Sequence, residues 1–185
     1  MTPIHQLSHI LPTITDVVDR IEPHQLDDPT PCSRFTVRDV LDHMLVLGGG
    51  FAYAFRGMEA PDIEPPPRDG RVPVAEFRTT MDGLLDAVRS PGALERTIAS
   101  PMGEMPGETF ARLVAFDGLV HGWDLASATG QEYVVDDAVV DDVDQFARVA
   151  ITDAMRDGDT FEVPTIAPDG AGRLEQLVAF SGRTL

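Results

Sequence analysis

The chain has 185 residues, of which 43% are hydrophobic and 24% charged, the proportions of a globular protein with a packed core. Fourteen arginines and no lysine face 31 acidic residues, giving a formal net charge of −17. Such a surface repels phosphate backbones and anionic lipid, so neither nucleic acid nor membrane is an expected partner. The single cysteine, Cys32, excludes an intrachain disulfide and a zinc–thiolate cluster.

The length fits one domain spanning residues 1–185. The first twenty residues lack a basic segment followed by an apolar one, and no apolar run approaches the roughly 18 residues of a membrane span. A cytoplasmic protein with a small-molecule or protein partner is expected, and a homodimer is compatible.

Glycine and proline divide the chain into helical segments. Over 3–21, Leu7, Ile10, Leu11, Ile14, Val17, Val18 and Ile21 fall on one stripe, with His5, His9 and Asp16 opposite. Pro12 lies on the outer side and either kinks this helix or marks its start. Residues 22–35 read as loop. Thr36 is an N-cap with Asp39 in the capping-box position, opening a second helix to about Arg56. A Pro-rich loop over 57–72 leads to a third helix, about Pro73–Val88. Leu94–Ala99 reads as extended between turn-rich stretches. A fourth helix covers about Glu108–Ala128, with Gly130 as its C′ residue. A fifth covers about Asp136–Met155, and a short one lies near Gly172–Gly182. Segment 160–170 reads as extended or loop. The expected architecture is mostly all-α: a four-helix bundle with long connections and one or two short extended segments.

The fourth helix carries the chemistry. It is apolar nearly all round, with Arg112 the main exception, so it is expected to be buried. Asp117, His121 and Asp124 nevertheless lie on one stripe with Phe110 and Val114. Buried ionisable groups require a partner. Asp117 and His121 are four residues apart and can reach one cation. His43, on the apolar side of the second helix next to Leu47, is the candidate third ligand. Two histidines and a carboxylate with an open position suit catalytic zinc, and Fe(II) chemistry is also compatible. Asp124 fits a residue behind the ligands, accepting the other N–H of a ligating histidine. The site is expected to open between the second and fourth helices.

The plainer alternatives are a packed, hydrogen-bonded His43 and an Asp117–His121 hydrogen bond with no ion. His5 and His9 share the i,i+4 spacing but occupy a solvent face. Cys32 reads as a small buried residue, Trp123 as core, and Gly48–Gly49–Gly50 as a close-packing run.

Three segments together resemble one family. PTPCSRFTVRDVLDHML, DGLVHGWDLASATG and EQLVAFSGRTL are similar to the opening, second and closing signatures of the DinB-like, mycothiol-dependent maleylpyruvate isomerase metal-binding domains. The resemblance implies a DinB-like four-helix bundle holding a divalent metal, usually zinc or nickel, with His43, Asp117 and His121 as ligands. It also implies a thiol cosubstrate such as mycothiol and isomerase or S-transferase chemistry on a small electrophile. The isomerase itself has Glu where this chain has Asp117, and a further C-terminal domain. The expected activity is therefore thiol transfer or isomerisation other than maleylpyruvate isomerisation. The alternative is a non-catalytic metal-binding or small-molecule-sequestering protein.

Overall fold

The computed structural model describes residues 1–100, 102–156 and 161–185. Among these, six α-helices dominate: α1 Pro3–Val18, α2 Val37–Arg56, α3 Val74–Arg89, α4 Gly107–Ala128, α5 Asp137–Ala150 and α6 Arg173–Phe180. The expected mostly all-α architecture is the one observed. Helices α1 to α4 form the bundle. Each of α1 and α2 packs against both α3 and α4, and α5 and α6 cover α4 from outside.

Sequence chemistry sets the helix ends. The Thr2 side chain accepts from the His5 N–H at the start of α1. The helix runs through Pro12, which is exposed, so it starts at Pro3 rather than at the proline inside it. The apolar stripe of α1 is buried from Leu7 to Val18, and Ile21 remains buried beyond the helix end. At α2, the Asp39 N–H donates to Thr36 Oγ1 at 3.2 Å and the Thr36 N–H donates to Asp39 Oδ2 at 3.0 Å. This is the reciprocal capping box read from the sequence, with Asp in place of Glu. Gly130 follows α4 with φ +67°, a left-handed conformation that favours glycine.

The segment before α4 differs from expectation. Leu94 and Glu95 lie in a turn, and a strand β1, Thr97–Ser100, pairs antiparallel with β2, Gly103–Pro106. The stretch containing Gly103–Pro106, read as turn-rich from its Gly and Pro, is half of a hairpin; Pro101 lies outside the described residues. The pairing places Ile98, 2% exposed, against the bundle, and that burial drives the hairpin. The fifth helix is also shorter than expected. It stops at Ala150, and Ile151 turns extended, where its side chain is buried. A short 3-10 turn, Asp153–Met155, follows. Within segment 160–170, Thr160 lies outside the described residues, and 161–168 is irregular.

Close packing uses only part of the glycine run. A Cβ on Gly48 would meet Met81 Cε at 3.0 Å and one on Gly49 would meet Ile63 at 3.1 Å, whereas Gly50 faces open space. Gly122 is more demanding. A Cβ there would fall 2.3 Å from the Tyr133 hydroxyl and 2.8 Å from Ile14, so the ring of Tyr133 rests directly on the α4 backbone. Among the described residues no helix is long and apolar enough to cross a membrane.

Candidate metal centre

Helices α2 and α4 are neighbours in the bundle and bring His43, Asp117 and His121 together. One ligand atom from each lies within 4.8 Å of the other two, and among the described residues no other group of His, Cys, Asp and Glu does this. The His5 and His9 rings are close, with centroids 4.5 Å apart, but both residues are exposed and gather no third partner of that kind.

The geometry around Asp117 is symmetric. His43 Nε2 and His121 Nε2 each stand 3.6 Å from the same oxygen, Asp117 Oδ1. That is too long for a hydrogen bond. It is close to the separation of about 3.3 Å between neighbouring ligands that tetrahedral bonds of about 2.0–2.1 Å require. The imidazoles meet edge to face, with centroids 4.8 Å apart.

Protonation is set from behind. His121 Nδ1 lies 3.0 Å from Asp124 Oδ2 on the next turn of α4. An ionised carboxylate only accepts, so Nδ1 carries a proton, and in the neutral ring the lone pair is on Nε2, facing Asp117. Asp124 is fully buried, and Arg183 from the segment after α6 supplies its counter-charge through Nε and Nη2. Burial alone would raise the Asp124 pKa, but His121 and Arg183 hold it below the ordinary carboxylate value. Burial likewise opposes ionisation of Asp117, and the facing His121 and His43 overcome this, holding it at about 2. For His43, burial favours the neutral form, but Asp117 outweighs it and the pKa is raised.

The residues fit a divalent cation. Among the described residues the buried His43 Nε2 has no hydrogen-bond partner, an arrangement that costs free energy unless something positive faces the lone pair. Asp117 supplies the negative charge. Two imidazoles and one carboxylate form a donor set for zinc, and one that nickel or iron also accepts.

A cavity of about 110 Å³ opens onto this group. It is bounded by more than α2 and α4: Cys32, Arg34 and Phe35 form one side, and Phe161, Glu162 and Arg183 another. The loop before α2 is pinned in place. The Thr30 N–H and hydroxyl both donate to the Phe35 carbonyl, and the Phe35 N–H donates to the Cys32 carbonyl at 2.8 Å. Phe35 thereby lies over both histidines, with its ring nearly parallel to His121 at 6.1 Å and tilted over His43 at 5.5 Å. Cys32 is half-buried and lines the cavity, rather than being a fully buried residue; burial pushes its thiol pKa up, so it is held as the neutral thiol. Trp123 is half-buried and packs on the core edge.

Sequence periodicity placed Asp124 behind His121. It gave no sign of Arg183's contact with Asp124, which spans 59 residues, or of the phenylalanines that wall the cavity.

The model of the mycothiol maleylpyruvate isomerase N-terminal domain matches residues 7–126. The chain belongs to this family. The match runs from Leu7 within α1 to Ala126 near the end of α4, and includes all three residues of the candidate centre. Two relatives from Mycobacterium tuberculosis are similar over most of their length: uncharacterized protein MT0763 from strain CDC 1551 / Oshkosh and uncharacterized protein Rv0738 from strain ATCC 25618 / H37Rv. Each is 36% identical over 163 residues, covering 87% of this chain and 86% of the relative. No solved structure matches the chain significantly.

Proposed function

We propose that this protein binds one divalent metal, with zinc the best match to the donor set, through His43, Asp117 and His121. On this reading it uses the ion to present a low-molecular-weight thiol of the mycothiol type to a small electrophile, as a thiol transferase or isomerase. The observation that carries the reading is the paired 3.6 Å approach of two imidazole nitrogens to one Asp117 oxygen, with the buried His43 nitrogen otherwise unpartnered among the described residues.

A bound divalent ion would lower the pKa of a coordinated thiol so that the sulfur is a thiolate at neutral pH. The chain's own residues do the rest. Asp124 fixes the His121 tautomer and ring orientation, and Arg183 keeps Asp124 ionised. Phe35, Phe116 and Phe161 exclude water from the wall around the ligands, which strengthens electrostatic interactions inside. Cys32 does not supply the sulfur: its thiol is held neutral by burial, and its Sγ is not part of the clustered ligand atoms. The nucleophile is therefore an added thiol or water, and the family supports the thiol.

The test is cobalt substitution. Mycothiol should add an intense sulfur-to-metal charge-transfer band in the near ultraviolet. If mycothiol and simple thiols leave the spectrum of the cobalt-loaded protein unchanged, a structural ion or a sequestering protein replaces the transferase reading.

A further inference from the structure

Resting on that metal–thiol reading, we infer that the electrophile taken by this site is uncharged and mainly apolar, about one ring in size, and that carboxylate-bearing molecules are excluded. Three features carry the inference: the cavity's walls, its charge and its second approach.

Beside the candidate ligands and the charged Arg34, Glu162 and Arg183, the rest of the wall is largely apolar. Phe35, Phe116, Val120 and Phe161 line the cavity, with the Phe116 and Phe161 rings 6.1 Å apart at a tilt of 57°. Aromatic walls favour flat apolar groups and gain nothing from a carboxylate, which must shed its water to enter. The volume, about 110 Å³, is on the scale of the roughly 150 Å³ apolar cavities that accept benzene, and this one is open to solvent on one side.

The charges cancel. Among the described residues of the lining, Arg34 and Glu162 are of opposite sign, and Arg183 is engaged by Asp124 at 2.8 Å. A divalent ion carries two positive charges, of which Asp117 neutralises one and a thiolate the other. The loaded site is then electrically neutral, with no surplus positive charge for an anionic substrate. The net charge of −17 repels anions further on approach.

The other side of Asp117 is also apolar. A space of about 20 Å³ reaches it from within the bundle, lined by Met44, Leu47, Phe51, Met81 and Leu84 among others. Methionine side chains are flexible, so this crevice can widen around an apolar substituent.

For an epoxide of this class the step balances. The thiolate sulfur forms a bond to a ring carbon, the carbon–oxygen bond breaks, and the oxygen takes up a proton equivalent to the one the thiol released.

Two probes with the same metal-binding head separate the claim from the reading beneath it. Benzohydroxamate and 4-carboxybenzohydroxamate are titrated into the cobalt-loaded protein, with binding read from the visible cobalt spectrum and without turnover. The uncarboxylated probe should bind at least tenfold tighter, and Glu162→Arg should reduce that ratio to about threefold or less. Equal or tighter binding of the carboxylated probe overturns the inference and leaves the metal centre standing. An unchanged ratio in Glu162→Arg overturns the charge argument. A spectrum that responds to neither probe removes the metal-centre reading and the inference together.

Discussion

Arg183 and Asp124 form a forked pair across 59 residues of sequence: Arg183 Nη2 donates to Asp124 Oδ2 at 2.8 Å and Nε to Oδ1 at 3.2 Å. The same Oδ2 accepts from His121 Nδ1 at 3.0 Å. The segment after α6 is thus tied to the histidine of the candidate centre through one buried carboxylate.

Asp124→Asn keeps the shape and removes the charge. An amide can present its N–H₂ to Nδ1 and favour the other tautomer, placing a proton on the nitrogen that faces Asp117. Metal affinity should fall roughly 10–100-fold without being lost, as measured by competition with a chromophoric chelator. Unchanged affinity would mean that Asp124 does not tune His121.

Arg183→Met leaves the Asp124 carboxylate buried without its guanidinium. Removing one partner of a buried pair costs about 3–5 kcal/mol, and His121 beside Asp124 offsets part of that. Denaturant unfolding should show a loss of about 3 kcal/mol, and Arg183→Met/Asp124→Asn should recover part of it. A loss below about 1 kcal/mol would show the pair to be unimportant for stability.

The α2 cap predicts an acid-sensitive contribution. The Thr36 hydroxyl and, against the opposing effect of burial, Arg68 hold the Asp39 pKa at about 2, below its ordinary 3.8. A depressed carboxylate stabilises the fold above the unfolded value, and that stability is lost as pH falls from about 3.8 towards 2. Thr36→Ala should cost about 1 kcal/mol at neutral pH and reduce the difference in stability between pH 5 and pH 2. Identical pH profiles for the two proteins would contradict the assignment.

The Tyr133 hydroxyl, buried against Gly122, has no hydrogen-bond partner among the described residues. Removing an unsatisfied buried hydroxyl is neutral or stabilising, so Tyr133→Phe should change stability by between zero and about +1 kcal/mol. Gly122→Ala forces a methyl into Tyr133 and Ile14 and should cost about 1–3 kcal/mol. Thermal unfolding of the two variants checks both signs.

The helices were legible because their information is local. The α1 stripe, the Thr36 box and Gly130 each lie within one or two turns of what they determine. The i,i+4 spacing of Asp117 and His121 and the i,i+3 spacing of His121 and Asp124 are local in the same sense. His43 required two helices to be placed side by side, and apart from the family resemblance its position on the apolar side of α2 was the only clue. Arg183, Phe35 and Phe161 reach the cavity from loops with no periodicity, and no spacing rule connects them to α4. The first strand overlaps the extended reading of Leu94–Ala99, but the second was missed because it contains Gly103 and Pro106, which favour turns locally, while burial of Ile98 decides the pairing. The fifth helix ended early for a similar reason: beside Val149, 80% exposed, Ile151 leaves the helix to reach the core.

The most direct test of the metal centre is elemental analysis of protein purified without chelators, alongside His43→Ala and His121→Ala. About one divalent ion per chain in the parent protein, and strongly reduced content in both variants under the same dialysis, is the predicted result. Full metal content in either variant, or a parent protein that retains no divalent ion after incubation with zinc, would contradict the assignment of His43, Asp117 and His121 as ligands.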